Sequence, residues 1–210
     1  MECPCRRVPA ALREAYTLFG RRRDLVARHN PLLEPEELLL DPSGELLVFR
    51  SENQGCAGWG VPLGDVSRED PPVALFSDRL PRPGRCRFLD RLSLACVETV
   101  LSGAVAGRLA PAYACRATPE VVACVENEFT RVPLPFYPAW SEPMGPRVRW
   151  FSTAGVLLRL EPGAGGTELV VMGGTKADLQ RAIERIPGAW PDTGPTVTRT
   201  TAGHDLVLPF

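Results

Sequence analysis

Short apolar segments joined by tight turns recur along this 210-residue chain and alternate with segments of helical periodicity. Residues 46–49 and 59–61 flank the turn-forming residues 52–55, which predicts a β-hairpin. A third strand is predicted at 73–76, and strands at 147–152, 156–160 and 169–172 predict a meander. Because short turns join antiparallel strands, we predict an α+β fold, a single domain with a central, mostly antiparallel sheet flanked by helices.

Helical segments are predicted between these strands from apolar periodicity and from capping residues. The clearest begins at Phe88, where Leu92, Cys96 and Val100 continue one apolar face as far as Gly103. Thr175 with Asp178 forms a variant capping box that opens the last helix. The other predicted helices lie at 9–20, 34–40 and 118–129.

The composition, with 44% hydrophobic and 23% charged residues, is that of a globular protein with a real core. We assign residues 1–190 to one domain and 191–210 to a C-terminal tail, either an edge strand or disordered. A formal net charge of -1 gives no global attraction to nucleic acid or to an anionic membrane. No apolar run approaches the ~20 residues that span a bilayer, and no signal peptide is visible, so we expect a cytoplasmic protein.

Residues that could support catalysis or bind a metal are sparse. Neither histidine, His29 or His204, belongs to a catalytic or metal-binding motif, and the seven cysteines lack C-x-x-C spacing, which predicts reduced thiols. A thiol enzyme using Cys56 with a histidine is a weak alternative. We therefore predict no catalytic residues, no metal and no cofactor.

Carboxylates near the first hairpin offer the remaining catalytic alternative. Glu52, Asp65, Glu69 and Asp70 lie on its turn and on the loop that follows. An acid–base pair of Glu52 and Asp70 would make a small hydrolase. Acids in loops are common turn residues, so an exposed acidic rim is the stronger interpretation.

The same hairpin concentrates groups suited to binding a partner. We identify Glu52, Asn53, Gln54, Trp59 and Asp70 as candidate binding residues, with amides and carboxylates for hydrogen bonds and an indole as anchor. The alternative is structural: the two amides satisfy the backbone of the hairpin, and Trp59 belongs to the core. The sequence leaves both interpretations open.

Several of these motifs, in their order and spacing, resemble the SUKH superfamily over residues 9–105, and more loosely to about Trp190. The motifs are Leu12-Arg13-Glu14-Ala15-Tyr16 with Gly20, Asn30-Pro31-Leu32-Leu33, Leu47-Val48-Phe49-Arg50-Ser51-Glu52-Asn53-Gln54-Gly55, Trp59-Gly60-Val61 and Asp70-Pro71-Pro72-Val73.

The resemblance implies a bacterial immunity protein that binds and neutralises a cognate polymorphic or contact-dependent toxin, often a nuclease, in the cytoplasm. It implies a protein partner, with no direct binding of nucleic acid or membrane, and it places toxin contacts at the five candidate residues. Fungal relatives act as regulatory scaffolds in cell-wall synthesis, so a non-catalytic adaptor is the alternative function.

Overall fold

The computed structural model describes residues 8–27, 30–81, 84–107, 110–163 and 165–191. The chain divides into two compact units, Met1–Gly103 and Ala104–Phe210, called here the N-terminal and the C-terminal unit. Each unit contains its own antiparallel sheet.

The sheet of the N-terminal unit has five strands that follow one another in chain order. They are β1 (Leu39–Leu40), β2 (Leu46–Ser51), β3 (Ala57–Pro62), β4 (Val73–Ser77) and β5 (Arg85–Leu89). The helices are α1 (Ala10–Phe19), α2 (Arg23–Val26), α3 (Leu92–Ala106), within which the unit boundary falls, and two 3-10 turns at Pro35–Glu37 and Leu63–Asp65.

Close packing in this unit depends on two glycines. A Cβ atom at Gly103 of α3 would lie 1.6 Å from the carbonyl oxygen of Leu25, and one at Gly58 of β3 would lie 2.4 Å from the ring of Phe76. Glycine is therefore required where α3 meets α2 and where Phe76 covers the sheet. A bulge in β2 between Val48 and Arg50 adds Phe49, which is also buried.

The sheet of the C-terminal unit has the order β6-β11-β10-β9-β7, and β8 pairs with β9. Its strands are β6 (Ala112–Arg116), β7 (Thr130–Arg131), β8 (Tyr137–Pro138), β9 (Arg147–Thr153), β10 (Val156–Gly163) and β11 (Gly166–Gly173). The helices are α4 (Pro119–Glu128) and α5 (Lys176–Ile183). Apolar side chains of both helices and of the sheet form one core cluster.

The structure confirms the predicted α+β class and the antiparallel strands. Among the described residues the strands form two sheets instead of one central sheet, because the strands that precede α3 in the chain pair with one another and so do those that follow it. The extent of a 1–190 domain stays a prediction, and nearly all of the predicted tail lies outside the described residues.

Two predicted helices differ from the structure. The helix at 34–40 is a single 3-10 turn followed by β1, because Leu39 and Leu40 pair with Val48 and Leu47. The helix predicted from Phe88 begins instead at Leu92, and the residues before it form β5, which pairs with β4. The helices predicted at 9–20 and 118–129 and the last helix, opened by Thr175, are confirmed.

The proline-rich stretch 133–146 contains the short strand β8, whose Tyr137 is buried and accepts a 2.6 Å hydrogen bond from Nε1 of Trp150. Phe136 beside it is half exposed and lies under the guanidinium of Arg131. Across the described part of the chain, every helix is too short or too polar to cross a membrane.

Candidate functional site

The turn between β2 and β3 is organised by the carboxylate of Glu52. Its Oε2 accepts hydrogen bonds from the backbone N–H of Gln54 at 2.7 Å and from the thiol of Cys56 at 3.1 Å. The backbone N–H of Glu52 donates to Ala57, and that of Gly55 donates to Glu52. Gly55 has a φ of 78°, which suits glycine in a tight turn. Glu52 is 3% exposed and is therefore a structural element of the turn.

Asn53 and Gln54 occupy the tip of this turn and are exposed. The backbone N–H of Gln54 donates to the Glu52 carboxylate and that of Gly55 donates to the Glu52 carbonyl, so the tip presents two planar amides on a hydrogen-bonded turn. Of the five candidate residues, these two are placed at the surface in the way that binding requires.

Trp59 lies in the interior of the N-terminal unit and is 2% exposed. The guanidinium carbon of Arg50 lies 4.3 Å from the centroid of its ring, and Phe88 meets it edge to face at 6.0 Å. Both geometries are favourable for an indole. The structural interpretation of Trp59 therefore holds, because a buried indole cannot anchor a partner without rearrangement.

Asp70 joins the loop before β4 to the start of α3. Its Oδ1 accepts a hydrogen bond from the N–H of Ser93 at 2.8 Å, and its Oδ2 accepts one from the Ser93 hydroxyl at 2.7 Å. A carboxylate here satisfies a free N–H of the first helical turn and complements the helix dipole. Asp70 thus has a structural role, although its side chain is still partly exposed.

The structure does not bring Glu52 and Asp70 together. Glu52 lies at the end of the sheet where β3 begins, whereas Asp70 lies at the end where β3 finishes and β4 begins. The six residues of β3, at about 3.3 Å per residue, separate these ends by roughly 17 Å. An acid–base pair within one cleft is incompatible with this separation.

A buried polar cluster, which sequence reasoning missed, lies beneath the hairpin. Arg50 forms an ion pair with Glu98 of α3, and their side chains are 2% and 6% exposed. The guanidinium also donates through Nε to the carbonyl oxygen of Asn30 at 3.0 Å, and Glu98 accepts a hydrogen bond from the Ser102 hydroxyl. The sequence did carry a signal for this cluster, because Arg50 and Glu98 each lie in an apolar segment. A charged residue in such a position lies either at the end of an element or in a buried pair.

Asn30 completes this buried cluster from the loop after α2. It is 3% exposed and has a φ of 52°, the left-handed conformation that asparagine tolerates better than most residues. The cluster therefore connects three distant segments of the chain: the Asn30 loop, β2 and α3.

The environments of several described thiols disfavour the thiolate. Burial raises the pKa of Cys96 to about 12 and that of Cys115 to about 11. The hydrogen bond to Glu52 raises the pKa of Cys56 above its ordinary value. Thiol chemistry needs the thiolate, which these environments disfavour. The two histidines that a thiol enzyme would need lie outside the described residues.

Within the described residues, no three or more side chains of His, Cys, Asp and Glu are grouped so as to hold a metal ion. No family model matches the chain, and neither a curated protein nor a solved structure matches it. The resemblance to the SUKH superfamily accordingly rests on the motifs quoted above and stays a prediction.

Proposed function

We propose that this chain is a non-catalytic immunity protein that binds a cognate protein toxin and blocks it. The observation that carries the proposal is the hydrogen-bonded turn between β2 and β3, in which the buried Glu52 accepts from the backbone N–H of Gln54 and the side chains of Asn53 and Gln54 are exposed. A binding surface that is ordered before the partner arrives loses less conformational entropy on association.

The chemistry of the exposed tip favours recognition of a polypeptide. Each amide side chain offers a carbonyl acceptor and two N–H donors, which match the backbone groups of a protein partner. Neither side chain ionises, so the tip binds without the desolvation penalty of a charge. Of the five candidate residues, we therefore assign contact with the toxin to Asn53 and Gln54 alone, and Glu52 positions the turn that carries them.

Enzymatic alternatives find less support among the described residues. Glu52 and Asp70 are separated by the length of β3, and both carboxylates already accept structural hydrogen bonds. The thiols of Cys56 and Cys96 have raised pKa values. A stoichiometric binding protein needs none of these groups to react.

The test is a co-expression rescue. A candidate toxin domain from a gene adjacent to this one is induced in a host with and without the chain, and the two proteins are then co-purified. We expect survival and a stable complex, and we expect Asn53→Ala with Gln54→Ala to weaken the complex by about tenfold or more. The matched control is Asn127→Ala, an exposed asparagine on α4.

Death of the host despite soluble protein, with no complex recovered, would contradict immunity and favour the adaptor alternative. Survival with equal affinities for the tip variant and the control would keep the function but move the contact surface away from the turn. The two results separate the function from the site.

A further inference from the structure

β5 is one of the two terminal strands of the sheet in the N-terminal unit, and among the described residues no further strand pairs with its outer edge. The sheet order ends at β5, which pairs with β4. The N–H of Ser77 donates to the carbonyl of Gly84, and hydrogen-bonded pairs alternate along an antiparallel ladder. Cys86 therefore directs its backbone groups toward β4, whereas Arg85 and Arg87 direct theirs outward. Outward N–H and C=O groups form a template for an added strand.

The segment that contains this edge is basic. Residues 78–91 contain five arginines and two aspartates, in a protein whose total formal charge is -1. Arg85 and Arg87 lie two positions apart and so share one face of the sheet. Arg85 pairs with Glu45, which also lines the groove described below, and Arg87 pairs with Asp90 at 2.6 Å. The four side chains are between about one-third and two-thirds exposed, so both pairs are weak and exchangeable with the carboxylates of a partner.

A groove of about 530 Å³ adjoins this edge on the same face. Its lining includes Leu46, Pro62 and Ala74, whose register places them on the side of the sheet that carries Arg85. Arginines on an edge strand could serve only to prevent edge-to-edge aggregation. That explanation accounts for the charges but not for the groove beside them, whereas a binding surface accounts for both.

We infer that this surface, the outer edge of β5 with the adjoining groove, binds an extended acidic segment of a protein partner. The segment adds to β5 as a strand, its carboxylates meet Arg85 and Arg87, and an apolar side chain enters the groove. That this partner is the toxin rests on the proposed function, whereas the edge and its preference for acidic strands do not.

A polypeptide suits this surface better than a nucleic acid does. The outward backbone groups need a partner strand with complementary N–H and C=O groups. Stacking of bases needs exposed aromatic rings, and the large apolar side chains exposed in the described part of this unit are aliphatic: Leu18, Leu39, Leu40 and Val97.

The test is an NMR titration of the full ¹⁵N-labelled chain with three probes. They are a short peptide of alternating valine and glutamate, the same peptide with lysine in place of glutamate, and a short single-stranded oligonucleotide. We expect the acidic peptide alone to shift the backbone amides of Arg85 and Arg87. Arg85→Glu with Arg87→Glu should weaken its binding by about tenfold or more, whereas the control Arg21→Glu with Arg22→Glu should not.

A second variant keeps the test decisive if the charge reversal prevents folding. Ala74→Leu fills the groove and leaves both arginines in place, and it should also weaken the acidic peptide. Absence of shifts at β5, equal shifts with the lysine peptide, or binding of the oligonucleotide at this edge would each overturn the inference. If the chain protects the host but does not bind the peptide, the binding surface at β5 is rejected and the proposed function is kept. If it binds the peptide but does not protect the host, the proposed function is rejected and the binding surface is kept.

Discussion

The interiors of the two units differ in chemistry. The N-terminal unit contains all the buried polar and charged residues of the described chain: Asn30, Asp41, Arg50, Glu52, Ser77, Glu98, Thr99 and Ser102. In the C-terminal unit the core cluster is apolar, with members such as Val125, Leu158 and Leu169. The first interior depends on specific polar partners, whereas the core cluster of the second depends on apolar area and fit.

The difference teaches where each unit is sensitive to substitution. A buried ion pair adds little net stability over apolar residues of equal volume, but removing one partner leaves a charge without compensation. An apolar core loses stability in proportion to the atoms removed and the cavity left behind. Substitutions at paired charges should therefore be strongly coupled in the first interior, whereas in the second the loss should follow the apolar volume that is removed.

The largest effect is expected from breaking the Arg50–Glu98 pair. Either Arg50→Met or Glu98→Leu alone should lower the free energy of unfolding by about 3–5 kcal/mol, because the remaining charge is buried. The double variant should lose much less than the sum of the two. Urea unfolding measures the losses of the single and the double variants, and amide exchange in β2 and β3 localises them. A loss in the double variant equal to the sum of the two single losses would disprove the coupling.

The C-terminal core should respond next most strongly. Leu160 lies in β10 and is fully buried, so Leu160→Ala should cost about 3 kcal/mol through lost contacts and a cavity. Met144→Ala is the matched control, since Met144 is 75% exposed and should change stability by about 0.5 kcal/mol or less. Equal losses at the two positions would show that this core is not close-packed.

The contrast between the interiors also explains what could be predicted from sequence. The strands of the β2–β3 hairpin and of the meander β9–β11 pair with strands that are adjacent in the chain, so short apolar segments separated by turn residues are enough to predict them. Phe88 and Leu89 fit the helical period of α3, but Leu89 pairs with Val73 of β4 and both residues belong to β5. Local patterns cannot decide such a case because a tertiary contact overrides propensity.

The candidate site was predicted in part for the same reason. Asn53 and Gln54 are turn residues, and their exposure follows from the local pattern. The roles of Glu52 and Asp70 in hydrogen bonding required the folded geometry. Arg50 and Glu98 lie 48 positions apart, so neither residue reveals the other before the strands and α3 are assembled.

A pH-dependent loss is expected in the N-terminal unit from Asp41, which closes the turn before β2. Burial opposes ionisation of this carboxyl, but hydrogen bonds from Ser43 and from the N–H groups of Leu46 and Glu45 lower its pKa below the ordinary 3.8. A lowered folded-state pKa gives stability that is present above pH 3.8 and is lost as the pH falls through the folded value.

Asp41→Asn should therefore cost about 1–2 kcal/mol at neutral pH and flatten the acid side of the stability curve. The control is Asp65→Asn, a partly exposed acid of the Leu63–Asp65 turn paired with Arg68 at 3.2 Å, where a smaller change is expected. Urea midpoints between neutral and acid pH measure the difference. Parallel curves for wild type and Asp41→Asn would contradict this role.

The smallest of these effects is expected at the start of α5, where polar groups of the C-terminal unit act at the surface. Thr175 Oγ1 accepts from the N–H of Asp178, and the Asp178 carboxylate accepts from the N–H and hydroxyl of Thr175. Thr175→Ala should cost about 1 kcal/mol, whereas Thr175→Ser keeps the cap and should cost much less.

The same pair of variants has a second measurement that separates the cap from general packing. The hydrogen bond from Thr175 lowers the pKa of Asp178, so Thr175→Ala should raise that pKa toward its ordinary value, and Thr175→Ser should leave it low. A carboxyl ¹³C titration follows the group directly. Equal losses of stability and equal pKa values for the two variants would mean that the methyl group of Thr175, and not its hydroxyl, stabilises the helix. In that event the C-terminal unit would depend on apolar contacts at its surface as well as in its core.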